Sequence, residues 1–348
     1  MIKTKLKIAY NQAIEHLRQK DQYINSKCYG KPTDISFIVT SKCNLKCKYC
    51  DYWKQPIKKE LTIKEWKNII LNLKRWLGSY HLSISGGEPL LFKDLFELIK
   101  FASENEILVS LITNGVLINE NLASKIAKSG VYNVIFSLDG LKETNDSIRG
   151  EGSYDKTIFG INLLIKLKIP ACLSLATVIS SRNLNELTSM VKYAKDSGLK
   201  FIYFQPLTFN PRSTYKKDWH MKNSFWPRDT EKVNSIIDEL IYMKRRNYPI
   251  ANPINQLELM KDYFRNPIFS TNKCFVGLKN LNIDETGNIT TCYYMEPIEN
   301  IFKNNIKGLW YSKKANEIRE KIKNCKRGCS VLNCNYTKSL SDKFARLF

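Results

Sequence analysis

The sequence contains no run of about 18 consecutive apolar residues, which excludes a membrane-spanning helix of ordinary length. Its basic first residues, Met1 to Lys7, lead into neither an apolar stretch nor a small-residue cleavage site. No secretory signal is therefore expected, and the expected location is cytoplasmic. Acidic residues are scarce: 33 Asp and Glu stand against 55 Lys and Arg, a net charge of +22. That balance suits an acidic partner, whether a peptide, a phosphorylated metabolite, nucleic acid or a membrane surface. The lysines are scattered rather than blocked, which favours the plainer reading of a solvated basic surface. Nucleic acid is not expected, because no recognition motif and no stacking pattern is present. The first 33 residues are too few for a separate peptide-binding winged-helix domain.

What is there begins with cysteine. The chain has ten in 348 residues, with 43% hydrophobic and 11% aromatic content, enough for a large core. A reducing compartment keeps thiols free, so ten cysteines argue for metal rather than disulfides. Three lie at 43–50 and five between 274 and 334, while Cys28 and Cys172 stand apart and read as small buried hydrophobes. Cys43, Cys47 and Cys50 are spaced C-x3-C-x2-C in one short loop after an apolar run. Three thiolates make a soft-metal site with one ligand missing. A cubane cluster has four irons, so three cysteines leave one corner open. Structural zinc would need a fourth protein ligand, usually from a second C-x2-C element, and none lies nearby.

The periodicity gives an α/β chain. Residues 1–33 read as an amphipathic helix and linker, with Leu6, Tyr10, Ala13 and Leu17 at helical spacing. Strands are expected at 34–40, 81–85, 107–112, 132–138, 172–178 and 201–205. Helices alternate with them, the first capped by the box Thr62-Ile63-Lys64-Glu65. Six βα units imply a parallel sheet curling one way, an open partial (β/α)6 barrel, TIM-like but too short to close. Residues 206–230 read as a long loop containing Asn210-Pro211. Helices at about 230–245 and from Asn252-Pro253 to about 264, with Asn252 as cap, form a connector. The expected divisions are 1–33, a barrel at 34–230, a connector at 231–273, and a cysteine-rich hairpin-plus-helix module at 274–348.

Four further segments fall at strand ends, where parallel α/β folds bind ligands. They are Ser85-Gly86-Gly87-Glu88-Pro89, Thr113-Asn114-Gly115, Ser137-Leu138-Asp139-Gly140 and Asn145-Asp146-Ser147-Ile148-Arg149-Gly150. Each by itself could be an ordinary turn or surface segment. Alternation would point Ser137 and Asp139 the same way. Gln205 at the sixth strand could face a ligand.

Together with the cysteine triplet and the aromatic Tyr49 before its last member, this order resembles the radical S-adenosylmethionine (SAM) family. The resemblance implies that Cys43, Cys47 and Cys50 hold a [4Fe–4S] cluster whose open iron is chelated by SAM. One electron from the cluster would cleave SAM to methionine and a 5′-deoxyadenosyl radical. It further implies that Gly86, Gly87 and Glu88 approach the SAM amino group. Asn114 would line the site, Ser137 and Asp139 would meet the ribose, and Arg149 would pair with the carboxylate.

Cys274 and Cys292 bracket a hairpin around Glu285-Thr286-Gly287, and Cys325-x3-Cys329-x4-Cys334 follows a short helix. This resembles the SPASM and twitch extensions, which hold auxiliary iron–sulfur clusters. Five cysteines imply one auxiliary [4Fe–4S] cluster, with Cys325, Cys329 and Cys334 competing for two places beside Cys274 and Cys292; zinc is the alternative. The resemblance leans toward a peptide or protein substrate, for which an acidic leader would suit the charge. The alternative is a small metabolite such as a sugar or phosphorylated intermediate. An electron donor such as flavodoxin or ferredoxin is expected. A reading from another class is a non-catalytic zinc protein bound to nucleic acid. No catalytic acid or base is legible.

Overall fold

Every second residue of the first four strands carries the core. Ile35, Phe37, Leu82, Ile84, Val109, Leu111, Val134 and Phe136 are fully or almost fully buried. Phe37 stacks on Trp66, with ring centroids 4.7 Å apart, so this face meets the outer helices. Between them on the opposite face stand Ser36, Ser83, Ser110 and Ile135, of which Ser110 is buried and the other three half-buried.

The computed structural model describes residues 2–25, 28–57, 59–209, 216–268 and 273–347. Helix α1 (Ile2–Asn25) precedes five strand-and-helix units. These are β1 (Asp34–Ile38) with α2 (Ile63–Leu77), β2 (His81–Ser85) with α3 (Leu95–Glu104), and β3 (Leu108–Thr113) with α4 (Glu120–Lys128). Next come β4 (Asn133–Ser137) with α5 (Lys142–Arg149) and α6 (Ser153–Lys166), then β5 (Cys172–Ile179) with α7 (Leu187–Asp196). Strand β6 (Phe201–Pro206) leads to α8 (Trp219–Lys222), α9 (Thr230–Arg245) and α10 (Ile254–Arg265). The rest comprises α11 (Val276–Lys279), β7 (Asn280–Ile283), β8 (Asn288–Thr290), β9 (Glu299–Asn300), α12 (Ile306–Trp310), α13 (Lys313–Lys323) and α14 (Leu340–Leu347).

The expected strands and parallel order are present, with ends moved by one or two residues. The capping box is formed: Thr62 accepts from the Glu65 amide and the Glu65 side chain returns to Thr62. The sheet runs β6-β5-β4-β3-β2-β1-β7-β8-β9. Strand β7 pairs in parallel with β1, from Asp34↔Asn280 to Phe37↔Ile283. The hairpin expected in a separate module is therefore a continuation of the barrel sheet.

At the far edge, β6 is capped by side chains. Asn252 accepts from the Phe204 amide at 2.7 Å and donates to the Phe204 carbonyl at 2.9 Å. Asn252 was expected to cap α10, but its amide instead imitates a neighbouring strand, and Pro253 takes the cap position. The Asn333 amide donates to Gln205 Oε1 at 2.8 Å, so Gln205 ties the edge to the C-terminal tail.

Helix α1 forms, but with its other face inward. Leu6, Tyr10 and Leu17 are 53%, 67% and 62% exposed. The buried face carries Ile8, Ala9, Glu15, His16, Gln19 and Gln22. The linker causes this by folding back: Gln22 Oε1 accepts from the Tyr29 and Gly30 amides, and Glu15 from the Lys31 amide at 2.8 Å. Cys28 and Cys172 are half-buried rather than buried. Cys172 packs beside Ile8, Ala9, Leu108, Tyr132 and Leu347, where α1 and α14 cover the lower ends of the strands. In the expected long loop, residues 210–215 lie outside the described residues; the stretch beyond contains α8.

Candidate active site and auxiliary cysteine group

The cysteine loop leaves the C-terminal end of β1 and is held by its neighbours' backbones. The Gly87 amide donates to the Thr40 carbonyl at 2.9 Å, and the Glu88 amide to the Lys42 carbonyl at 2.8 Å. A Cβ at Gly86 would stand 2.4 Å from the Thr40 oxygen, and one at Gly87 2.2 Å from the Lys42 oxygen. Only glycine permits this approach. On the other side the Lys48 amide donates to the Ile148 carbonyl at 3.0 Å. The Leu45 amide points at Cys43 Sγ, 3.5 Å away.

Cys43, Cys47 and Cys50 are free thiols. Burial pushes all three up, Cys47 to about 11, against the lowering pull of Arg149. Three soft donors on one turn, screened from water and facing a buried cation, suit a group that takes thiolates.

Glu88 is fully buried. It accepts from Thr113 Oγ1 and the Asn114 amide, both at 2.7 Å, and from the Leu90 amide at 3.1 Å. Burial still raises its carboxyl above the ordinary value, with those bonds acting the other way. Asn114 donates to Asn44 Oδ1 at 2.8 Å, tying the third strand's end to the cysteine loop.

Strand β4 ends at Ser137, so the alternation expected to align Ser137 with Asp139 stops there. The Ser137 side chain faces the interior, half-buried, with no hydrogen bond to another described residue. Asp139 is fully buried and accepts from the Val178 amide at 2.8 Å and from the Tyr49 hydroxyl. Arg149, at the end of α5, pairs its Nε with Asp139 Oδ2 at 2.7 Å and donates Nη2 to the Tyr49 hydroxyl at 3.1 Å. Its Nη1 has no partner among the described residues. Burial works against the Arg149 charge, but Asp139, Tyr49 and Cys47 more than offset it and keep the group protonated. Helix α5 was not expected from the sequence; it brings Arg149 under the loop. Phe225, packed edge-on to Tyr49 at 6.1 Å, was also missed, since nothing local marks it.

The second cysteine group lies in the C-terminal tail, although among the described residues no three His, Cys, Asp or Glu side chains stand close enough together to hold a metal ion. Burial raises Cys329 well above an ordinary thiol, and Cys292, Cys274, Cys325 and Cys334 push it further. Cys292 is raised to about 12, mainly by burial. Cys329 thus lies within electrostatic reach of the other four thiols. Tyr294 joins this group to the barrel, its hydroxyl lying 2.9 Å from Thr208 Oγ1 and donating to the Phe209 carbonyl at 3.1 Å.

Among the described residues, no helix is long and apolar enough to cross a membrane. The model of the radical SAM superfamily matches residues 37–194, and that of an iron–sulfur cluster-binding domain, SPASM, matches residues 274–335. The chain is 31% identical to "Probable GTP 3′,8-cyclase" of Methanocaldococcus jannaschii over 62% of this chain and 72% of that protein. It is 27% identical to PqqA peptide cyclase of Rhizobium meliloti over 80% of this chain and 73% of that one. In fold it is similar to Streptococcus suis SuiB bound to precursor peptide SuiA, with a TM-score of 0.67 and 17% identity, covering 88% of this chain and 70% of that one. The chain spans about half the length of the first curated relatives it matches.

Proposed function

The chain belongs to the radical SAM superfamily, and from that membership we propose that it cleaves SAM reductively to take a hydrogen from a peptide or protein side chain. The observation that carries this is the cysteine loop itself: three free thiols on one turn, clamped between the Gly86-Gly87 turn and α5. When bound, a [4Fe–4S] cluster on Cys43, Cys47 and Cys50 supplies one electron to SAM and so generates the 5′-deoxyadenosyl radical.

The protein's own part is orientation and exclusion of water. The glycine turn keeps backbone polar groups beside the loop, at the place proposed for the SAM amino group. Glu88 holds that turn to the end of β3 through two donors, Thr113 and the Asn114 amide, and accepts a third bond from the Leu90 amide, leaving little capacity for a ligand. Asn114 lines the site through Asn44. Ser137 offers the free hydroxyl for the ribose, and Arg149 offers Nη1 to the carboxylate. Asp139 acts behind them by fixing Arg149 and Tyr49.

In the tail, four of Cys274, Cys292, Cys325, Cys329 and Cys334 would close one auxiliary [4Fe–4S] cluster. The peptide reading is supported by the SPASM match and by the relative named a peptide cyclase. A second reading, a phosphorylated small molecule, is supported by the relative named a GTP 3′,8-cyclase and by the basic chain. The reductant would be a small acidic flavodoxin or ferredoxin. The unpaired thiols suit the cytoplasm.

The test is 5′-deoxyadenosine release under anaerobic reduction. Cys47→Ala should abolish it, and unchanged turnover would refute the proposal. Productive SAM cleavage with a small molecule alone, and with no peptide, would replace the first substrate reading by the second.

A further inference from the structure

Beneath the cysteine loop lie two opposite charges withdrawn from water. Arg149 has a side chain 10% exposed and Asp139 one 0% exposed, with Nε and Oδ2 2.7 Å apart. The Tyr49 hydroxyl touches both, and Tyr49 sits between Cys47 and Cys50. The loop is also stitched to α5 one residue before Arg149, through the Lys48 amide and the Ile148 carbonyl. Holding a loop does not require charge. An apolar pair of like volume would do so without the desolvation cost that a buried ion pair carries.

What the charges add is a field at the sulfurs. Arg149 acts electrostatically on Cys43, Cys47 and Cys50 alike, and Asp139 acts with the opposite sign on Cys47. The two are unequal in reach. Both Asp139 oxygens already accept, Oδ1 from the Val178 amide and Oδ2 from the Tyr49 hydroxyl, whereas Arg149 Nη1 has no partner among the described residues. Reducing a cluster adds negative charge to it. A nearby cation stabilises the reduced form and a nearby anion opposes it, and cluster charge environment is a known determinant of potential.

We propose that Arg149 and Asp139 set the reduction potential of the SAM-cleaving cluster in opposite directions, Arg149 making reduction easier and Asp139 harder. Tyr49 is the rigid link that keeps both at constant distance from the sulfurs. This rests on the radical SAM reading of the site.

The experiment is a redox titration of the full chain followed by electron paramagnetic resonance. Parent protein, Arg149→Gln, Arg149→Lys, Asp139→Asn and the Gln/Asn double variant are compared after anaerobic loading with iron and sulfide. In the parent protein the signal that changes on adding SAM identifies the cluster on Cys43, Cys47 and Cys50; the variants are titrated at that signal without SAM, and the auxiliary signal serves as internal reference. At a fixed potential, Arg149→Gln should lower the reduced-to-oxidised ratio about tenfold, about 59 mV for a one-electron couple. Asp139→Asn should raise it. Arg149→Lys and the double variant should lie near the parent, and the reference should not move. Shifts of one sign in both single variants, or no shift in fully loaded variants, overturn the inference. If Arg149→Gln fails to load, the sign of the Asp139→Asn shift still decides. If both fail to load, the pair is structural and the inference falls. A parent with no SAM-responsive signal defeats the functional reading as well.

Discussion

Gly87 rests directly on the carbonyl oxygen of Lys42: a Cβ placed on it would lie 2.2 Å away. Gly87 is not among the glycines with positive φ, so alanine is conformationally allowed there and the substitution isolates the clash. Gly87→Ala should push the cysteine loop outward. We expect a stability loss of about 1–3 kcal/mol, typical of overpacking. Iron retention should also fall, read as lost absorption near ~400 nm after anaerobic loading. A variant that keeps full iron content and parental melting would show that the contact is not a constraint.

The Asn252 side chain completes the edge of β6. Asn252→Ala leaves the Phe204 amide and carbonyl, both buried, without these partners. The expected cost is about 2–3 kcal/mol, measured by denaturant unfolding. Asn333, which also donates to the Phe204 carbonyl at 3.0 Å, should become more mobile, seen as faster amide exchange in the tail.

Metal removal by mutation should separate the two cysteine groups. Cys292→Ser is expected to lower bound iron from about eight to about four per chain. The SAM-responsive signal should survive. Cys43→Ser should lose that signal and keep the auxiliary iron. Equal loss of both in either variant would mean that one cluster cannot form without the other.

The thiols also predict a pH dependence in the metal-free chain. Burial lifts Cys47 to about 11, so the thiol is protonated at neutral pH, and its alkylation should be slow. The rate should rise about tenfold per pH unit until the thiol ionises near that value. Removing Arg149 takes away a lowering influence, so Arg149→Gln should slow Cys47 labelling further. Peptide mass spectrometry after pulsed alkylation checks both. Rapid labelling at neutral pH would mean that the loop opens in the absence of metal.

Legibility followed the range of the interaction. The capping box at Thr62 and the alternation through Phe37 and Ile84 are local signals, and both the helix and the strands appear where they predict. The family was legible from the cysteine spacing, because ligand chemistry dictates it. The inward face of α1 was not, because a linker bonded to Glu15 and Gln22 overrides the apolar row. Nor could sequence tell that Asp139 is spent on Tyr49 and Arg149. Its alternation with Ser137 ends with the strand, and its partners come from distant elements. Glu88 is similar: the motif marked the right turn, while the buried donors around the carboxylate belong to β3 and to the residues that follow it.

The ladder between β1 and β7 carries a last consequence. The strand that feeds the cysteine loop and the strand that follows Cys274 are neighbours in one hydrogen-bonded sheet. Any electron passing between the two metal groups would therefore cross a span set by crossbars rather than by a tether. Such a hop does not wait for a swinging arm, and its rate should be indifferent to solvent viscosity.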